Sequence, residues 1–264
     1  CAVCFLCTAA FYSAGMETDL SSITSPSALE LTYAGGDASS ANKLLVVPIQ
    51  GIILNEKPDD LLRKLFTYRY TSGTGISGMT FGNLFMAALT DIYGSQKVAI
   101  EKTCEFLDVG GKIIPVTFDN VRLLARYSNG RQVLGQHLIV EPCDDIGDYK
   151  IVGMETVPGA RANPEAIRAI KESDLVVLGP GDLYTSIICN LIVEGISETI
   201  RKCNPKIVFV QNLMTKYGET HNYKASDFIK ELEKHIGEGG VDVCLTHKNG
   251  SFPKEILFRY KKEK

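Results

Sequence analysis

The sequence has no tryptophan and only four histidines. The first absence excludes an indole anchor and has no further functional meaning. The second narrows the acid–base chemistry that the chain can support. An excess of one charge is also lacking, with 28 Lys and Arg against 31 Asp and Glu and a net charge of −3. A general nucleic-acid surface needs a basic excess, so that class of partner is excluded. No apolar run is long enough to span a bilayer. The candidate, residues 1–15 (CAVCFLCTAAFYSAG), is uncharged but too short. Membrane contact therefore requires this segment to be the remnant of an anchor or signal peptide. A disulfide framework is missing too. Of eight cysteines, Cys1, Cys4 and Cys7 crowd the start, while Cys104, Cys143, Cys189, Cys203 and Cys244 are scattered. That scatter suits reduced thiols in a cytosolic protein. The opening Cys-x-x-Cys-x-x-Cys has the form of part of an iron–sulfur ligand run, but no fourth ligand lies nearby.

What is present reads as a globular α/β chain. Its 264 residues, 45% hydrophobic and 22% charged, suffice for one large domain with a small insertion. The stretch from Asp174 to Ile187 organises the rest. Leu175 to Leu178 is a short apolar run that predicts a strand buried on both faces. Gly179-Pro180-Gly181 then turns the chain, and Asp182, Tyr184, Thr185 and Ser186 open an apolar run with helical character. A strand, a glycine turn and a polar helix start can hold an anion, most often phosphate.

In chain order, residues 16–43 read as a linker and Lys43 to Leu54 as an edge strand containing Pro48 and Gly51. Lys57 to Tyr70 predicts a helix. Gly73 to Gly78 matches G-x-G-x-x-G, but a helical pattern precedes it, so a flexible glycine loop is expected. Phe81 to Ile92 predicts a central apolar helix, with Asn83 near its start as a cap or a ligand contact. Ser95 caps a further helix to Leu107. Residues 112–118, 121–127 and 132–140 are β-like, with a hairpin at Ser128-Asn129-Gly130, giving a small antiparallel insertion over about 112–140. A connecting region, 141–162, leads to a helix ending at Lys171. A helix near 195–202, a strand at 206–211, a helix at 225–236 and a strand at 241–246 complete a parallel, doubly wound sheet.

In such sheets ligands bind beyond the carboxyl ends of the strands. That brings the loop from Gly179 to Ser186 beside the loop from Asn212 to Thr220. The expected ligand contacts are Asn83, Gly179, Gly181, Tyr184, Thr185, Ser186, Asn212, Thr215, Glu219 and Thr220. Hydroxyl, amide and carboxylate groups together suit a sugar or nucleotide. No metal site is expected. Asp182 and Glu219 read as surface acids, and His221 as a solvated loop histidine. His137, His235 and His247 lie in other elements, so no nucleophile–base pair stands out and no catalytic residue is assigned.

Several of these stretches resemble the gluconeogenesis factor (YvcK-like) family, which belongs with the CofD-like 2-phospho-L-lactate transferases. They are Phe81-Gly-Asn-Leu-Phe85, Gly179-Pro-Gly-Asp-Leu-Tyr-Thr-Ser-Ile187, Asn212-Leu-Met-Thr215 and Gly218-Glu-Thr220, with Ala225-Ser-Asp227 behind. The resemblance runs from about Lys57 to Tyr260. It implies a Rossmann-like fold that binds a nucleotide sugar such as UDP-N-acetylglucosamine. It also implies a cytoplasmic, regulatory role in carbon metabolism, cell-wall synthesis and cell shape. The alternative it implies is transfer of a phospholactyl group to a deazaflavin precursor, for which a divalent cation such as Mg would be needed. No cofactor is otherwise implied, and a homo-oligomer is compatible with the sequence.

The chain departs from the family pattern. The family's N-terminal Gly-Gly-Gly-Thr-Gly loop and Asp-Asp-Gly-Gly-Ser-Ser segment are missing, and Met79-Thr80 replaces a His-Ser or His-Asn pair. Asp182 stands where the family has serine. Residues 1–55 therefore read as a non-family segment and 56–264 as an incomplete CofD-like domain. A non-functional fragment or fusion product is the third reading.

Overall fold

The structure is a computed structural model that describes residues 3–4, 44–45, 60–107, 112–246 and 258. Two short strand pieces come first, β1 (Val3–Cys4) and β2 (Leu44–Leu45). Three helices follow: α1 (Asp60–Thr67), α2 (Phe81–Tyr93) and α3 (Gln96–Phe106). Next are β3 (Lys112–Ile113), β4 (Arg122–Tyr127), β5 (Gln132–Leu134), α4 (Gln136–Val140), α5 (Asp144–Gly147) and β6 (Ile151–Val157). The last third runs α6 (Pro164–Lys171), β7 (Leu175–Leu178), a π-helical turn (Leu183–Ile188), α7 (Cys189–Leu191), α8 (Ile196–Cys203), β8 (Lys206–Val210), α9 (Ala225–Ile236) and β9 (Val243–Leu245).

The main sheet has the order β2-β7-β8-β9, and all its pairs are parallel. Crossover helices force that geometry, since parallel neighbours cannot be joined by a tight turn. The predicted α/β class with a parallel sheet and a small antiparallel one is what forms. Val176, Val177 and Leu178 are buried, as an apolar run covered on both faces should be. β2 pairs with β7 as an edge strand among the described residues.

Local chemistry sets the helix ends. The Asn163 carboxamide accepts from Glu165 N at 3.0 Å, and Pro164 occupies the first turn of α6. The Asp227 carboxylate accepts from Lys224 N at 2.8 Å at the start of α9. α9 then buries Phe228, Leu232 and Ile236, spaced four apart on one face. Phe228 stacks on Phe209 of β8 with ring centroids 6.2 Å apart. Each such buried side chain contributes about 1.5–3 kcal/mol.

The antiparallel sheet has the order β5-β4-β6, and it corrects two sequence expectations. The strand expected over 132–140 stops at Leu134. Gly135 takes φ 117°, and α4 follows, which drives Ile139 into the core. Conversely, Ile151–Val157 lies inside the expected connecting region but forms β6, paired with β4. A third correction concerns α2, which was expected to be central. Its main packing partners are α1 and α3, and Ile92 is 72% exposed among the described residues. The 73–78 segment is a glycine turn between helices, as expected.

Candidate functional site

The site builds from the end of β7. Gly179 has φ +89°, and a β-carbon there would stand 2.5 Å from the Val210 carbonyl oxygen. Its glycine is needed for the approach of β7 to the end of β8. Gly181 is buried in the same bend. The carbonyl of Asp182 then accepts from Ser186 N at 3.0 Å and Ile187 N at 3.1 Å, opening the π-helical turn.

The next two N–H groups should be the anion cradle. They are already engaged. Tyr184 N and Thr185 N donate to Glu219 Oε2 at 3.3 and 3.4 Å, and the Thr185 hydroxyl donates to Glu219 Oε1 at 2.9 Å. The carboxylate of the second loop thus fills the anion position of the first. Glu219, expected as a surface acid, is 1% exposed. A buried carboxylate needs such partners, and the turn supplies them.

The second loop is locked by its own backbone. Thr220 N donates to Lys216 O at 2.8 Å, and Lys216 N donates to Thr220 Oγ1 at 3.0 Å. This turn holds Lys216 and Glu219 together, with Nζ 3.3 Å from Glu219 Oε1. The same ammonium pairs with Asp182 Oδ2. Lys216, missed in the sequence, is therefore a second link between the loops, beside Glu219. Burial pulls its ammonium down, but Glu219 and Asp182 outweigh this and hold it above its ordinary value. Burial pushes the Glu219 carboxyl up, against the pull of Lys216 and the Thr185 hydroxyl.

The segment between β5 and β6 packs against this edge. A β-carbon at Gly218 would run into the Pro142 ring, and one at Gly147 into the Tyr217 ring. Gln136 Nε2 donates to Thr185 O at 3.4 Å. The Tyr127 hydroxyl is buried without a partner, and burial together with the Glu219 charge pushes its pKa up to about 12.

The expected contacts divide accordingly. Tyr184, Thr185, Ser186, Glu219 and Thr220 are buried. Tyr184 is a core tyrosine whose hydroxyl bonds Ile151 O at 3.2 Å and the Tyr223 hydroxyl at 2.9 Å. The hydroxyls of Tyr184 and Thr185 therefore bond to groups of the interior. Asn212 and Thr215 are half-buried on the second loop. Asn83 is exposed on α2, and its backbone N donates to Thr80 Oγ1 at 3.2 Å, as part of the helix start. His221, expected in solvent, is half-buried against Tyr217, with Nδ1 buried and unpartnered. Gln211 Oε1 is in the same condition.

Among the described residues no group of three or more His, Cys, Asp or Glu is arranged to hold a metal. Asp182 and Glu219 converge on the Lys216 ammonium, which stands where a cation would sit. A divalent ion needs about six oxygen ligands, so these residues do not fit one. Among the described residues no helix is long and apolar enough to cross a membrane.

Comparison with known proteins adds to this geometry. The profile of the family described as 2-phospho-L-lactate transferase CofD matches residues 42–264. A Thermotoga maritima protein, provisionally named a gluconeogenesis factor, is 39% identical over 240 residues, covering 89% of this chain and 74% of that protein. The gluconeogenesis factor of Bacillus subtilis is 35% identical over 234 residues, covering 87% and 72%. A crystal structure of a Bacillus halodurans protein superposes with a TM-score of 0.69 at 34% identity, covering 78% of this chain and 65% of that one.

Proposed function

The chain belongs to the CofD family, and from that premise we propose that it binds a nucleotide sugar of the UDP-N-acetylglucosamine type and acts as a regulatory protein. The observation that carries the reading is the polar edge beyond β7 and β8. There Asp182 and Lys216 bridge two loops that also carry Asn212 and Thr215. An edge of donors and acceptors at the carboxyl ends of parallel strands suits a hydroxylated ligand. The resemblance to gluconeogenesis factors supports a cytoplasmic role in carbon metabolism, cell-wall synthesis and cell shape. Against catalysis, Lys216 is committed to two carboxylates and faces no nucleophile among its partners.

Calorimetric titration of the full chain with UDP-N-acetylglucosamine tests the reading. Saturable heat with a rise in the unfolding temperature is expected. No heat and no thermal shift at millimolar ligand would remove it.

The family's own description favours a second reading, phospholactyl transfer. Its assay is product formation from a deazaflavin acceptor with magnesium. The Lys216-filled acid pair supports the first reading over this one.

A further inference from the structure

A nucleotide sugar presents two chemically different parts to a protein, a charged diphosphate and a neutral polyol. The edge beyond β7 and β8 is not suited to both. Two acid groups, Asp182 and Glu219, face a single ammonium, so little positive charge is left there for a phosphate. The N–H groups that would hold a phosphate at the π-helical turn are taken by Glu219. Glu219 itself is out of reach of solvent, whereas the side chains of Asp182 and Lys216 are 26% and 28% exposed. The ammonium has three N–H donors and two carboxylate partners, which leaves one donor. The Asp182 carboxylate keeps acceptor positions beyond its bond to Lys216.

A donor beside an acceptor at ion-pair distance is the complement of a hydroxyl pair, in which each group both accepts and donates.

We propose that the Asp182–Lys216 pair is the subsite for the hydroxylated sugar ring of the ligand, and that the diphosphate binds elsewhere. This deepens the nucleotide-sugar reading and rests on it.

The test compares UDP-N-acetylglucosamine with UDP by calorimetry on the full chain and on Asp182→Asn, with Asp182→Ser as the second variant should the first not fold. Unfolding midpoints check that each variant is native. The wild type is expected to bind the sugar nucleotide more tightly than UDP. Asp182→Asn should lower affinity for the sugar nucleotide about tenfold, the scale of one lost charge-assisted hydrogen bond, and change UDP affinity less than about twofold. Equal loss for both ligands would place the diphosphate at Asp182 and overturn the inference, while leaving ligand binding intact. No change for either ligand would reduce the pair to a surface ion pair. A wild type that binds neither would overturn both the inference and the reading beneath it.

Discussion

Replacing Glu219 with alanine should unfold the join between the two loops. The wild-type carboxylate accepts from two buried N–H groups and one buried hydroxyl and faces the Lys216 ammonium. Alanine would leave Tyr184 N, Thr185 N and the Thr185 hydroxyl without that acceptor, and Lys216 with Asp182 alone. An unsatisfied buried polar group costs about 1–3 kcal/mol. Deleting one partner of a buried charge pair costs about 3–5 kcal/mol. These costs overlap because they share one carboxylate, so the loss should be about 3–5 kcal/mol in total. At about 2–4 °C per kcal/mol for a chain of this size, the midpoint should fall by roughly 6–20 °C. Urea unfolding followed by circular dichroism measures the free energy. Glu219→Gln keeps the size and one acceptor oxygen, and should lose only about 1–3 kcal/mol. An alanine variant within about 0.5 kcal/mol of wild type would show that the carboxylate does not hold the loops together.

Other outcomes follow from the same geometry. Because burial raises the Glu219 carboxyl above its ordinary 4.5, its folded form binds a proton more readily than its unfolded form. The stability gained by protonating it is therefore fully present below 4.5 and fades as pH rises, so Glu219→Gln should flatten that part of the stability profile. Asp242 has the opposite sign. Burial pushes its carboxyl up, but Lys206 and Ile207 N outweigh this and hold it below 3.8, so its contribution is lost as pH falls and Asp242→Asn should blunt acid unfolding. Gly179→Ala, forced to φ +89° against the Val210 carbonyl, should cost about 2 kcal/mol or more in urea unfolding; an unchanged midpoint would contradict the close approach. Tyr184→Phe removes the bonds to Ile151 O and the Tyr223 hydroxyl and should cost about 1–2 kcal/mol by the same assay.

The parallel core was legible because its signals are local. Leu175 to Leu178 and Lys206 to Val210 are apolar runs, and α9 carries its buried face at regular spacing. β6 was not legible, since Gly153, Glu155 and Thr156 interrupt its pattern and its pairing partner lies in β4. His137 to Val140 carries β-branched residues that suggest a strand, yet Gly135 turns it and the core takes Ile139 instead. At the site, the two loops could be placed together from topology alone. The role of Glu219 could not, because carboxylates are usually exposed and its partners lie 34 and 35 residues away. Lys216 escaped notice for the same reason, since its partner Asp182 sits 34 residues earlier.

The meeting of Gly218 with Pro142, and of Gly147 with Tyr217, limits how this molecule can be rebuilt. Each contact sets a missing side chain on one segment against a ring on the other. Neither half is interchangeable by itself. A chimera that takes its antiparallel sheet from a relative must carry residues 142–148 and 217–218 as one unit. Grafted separately, a ring would meet a β-carbon, and the loop that presents Lys216 would be pushed out of register with Asp182.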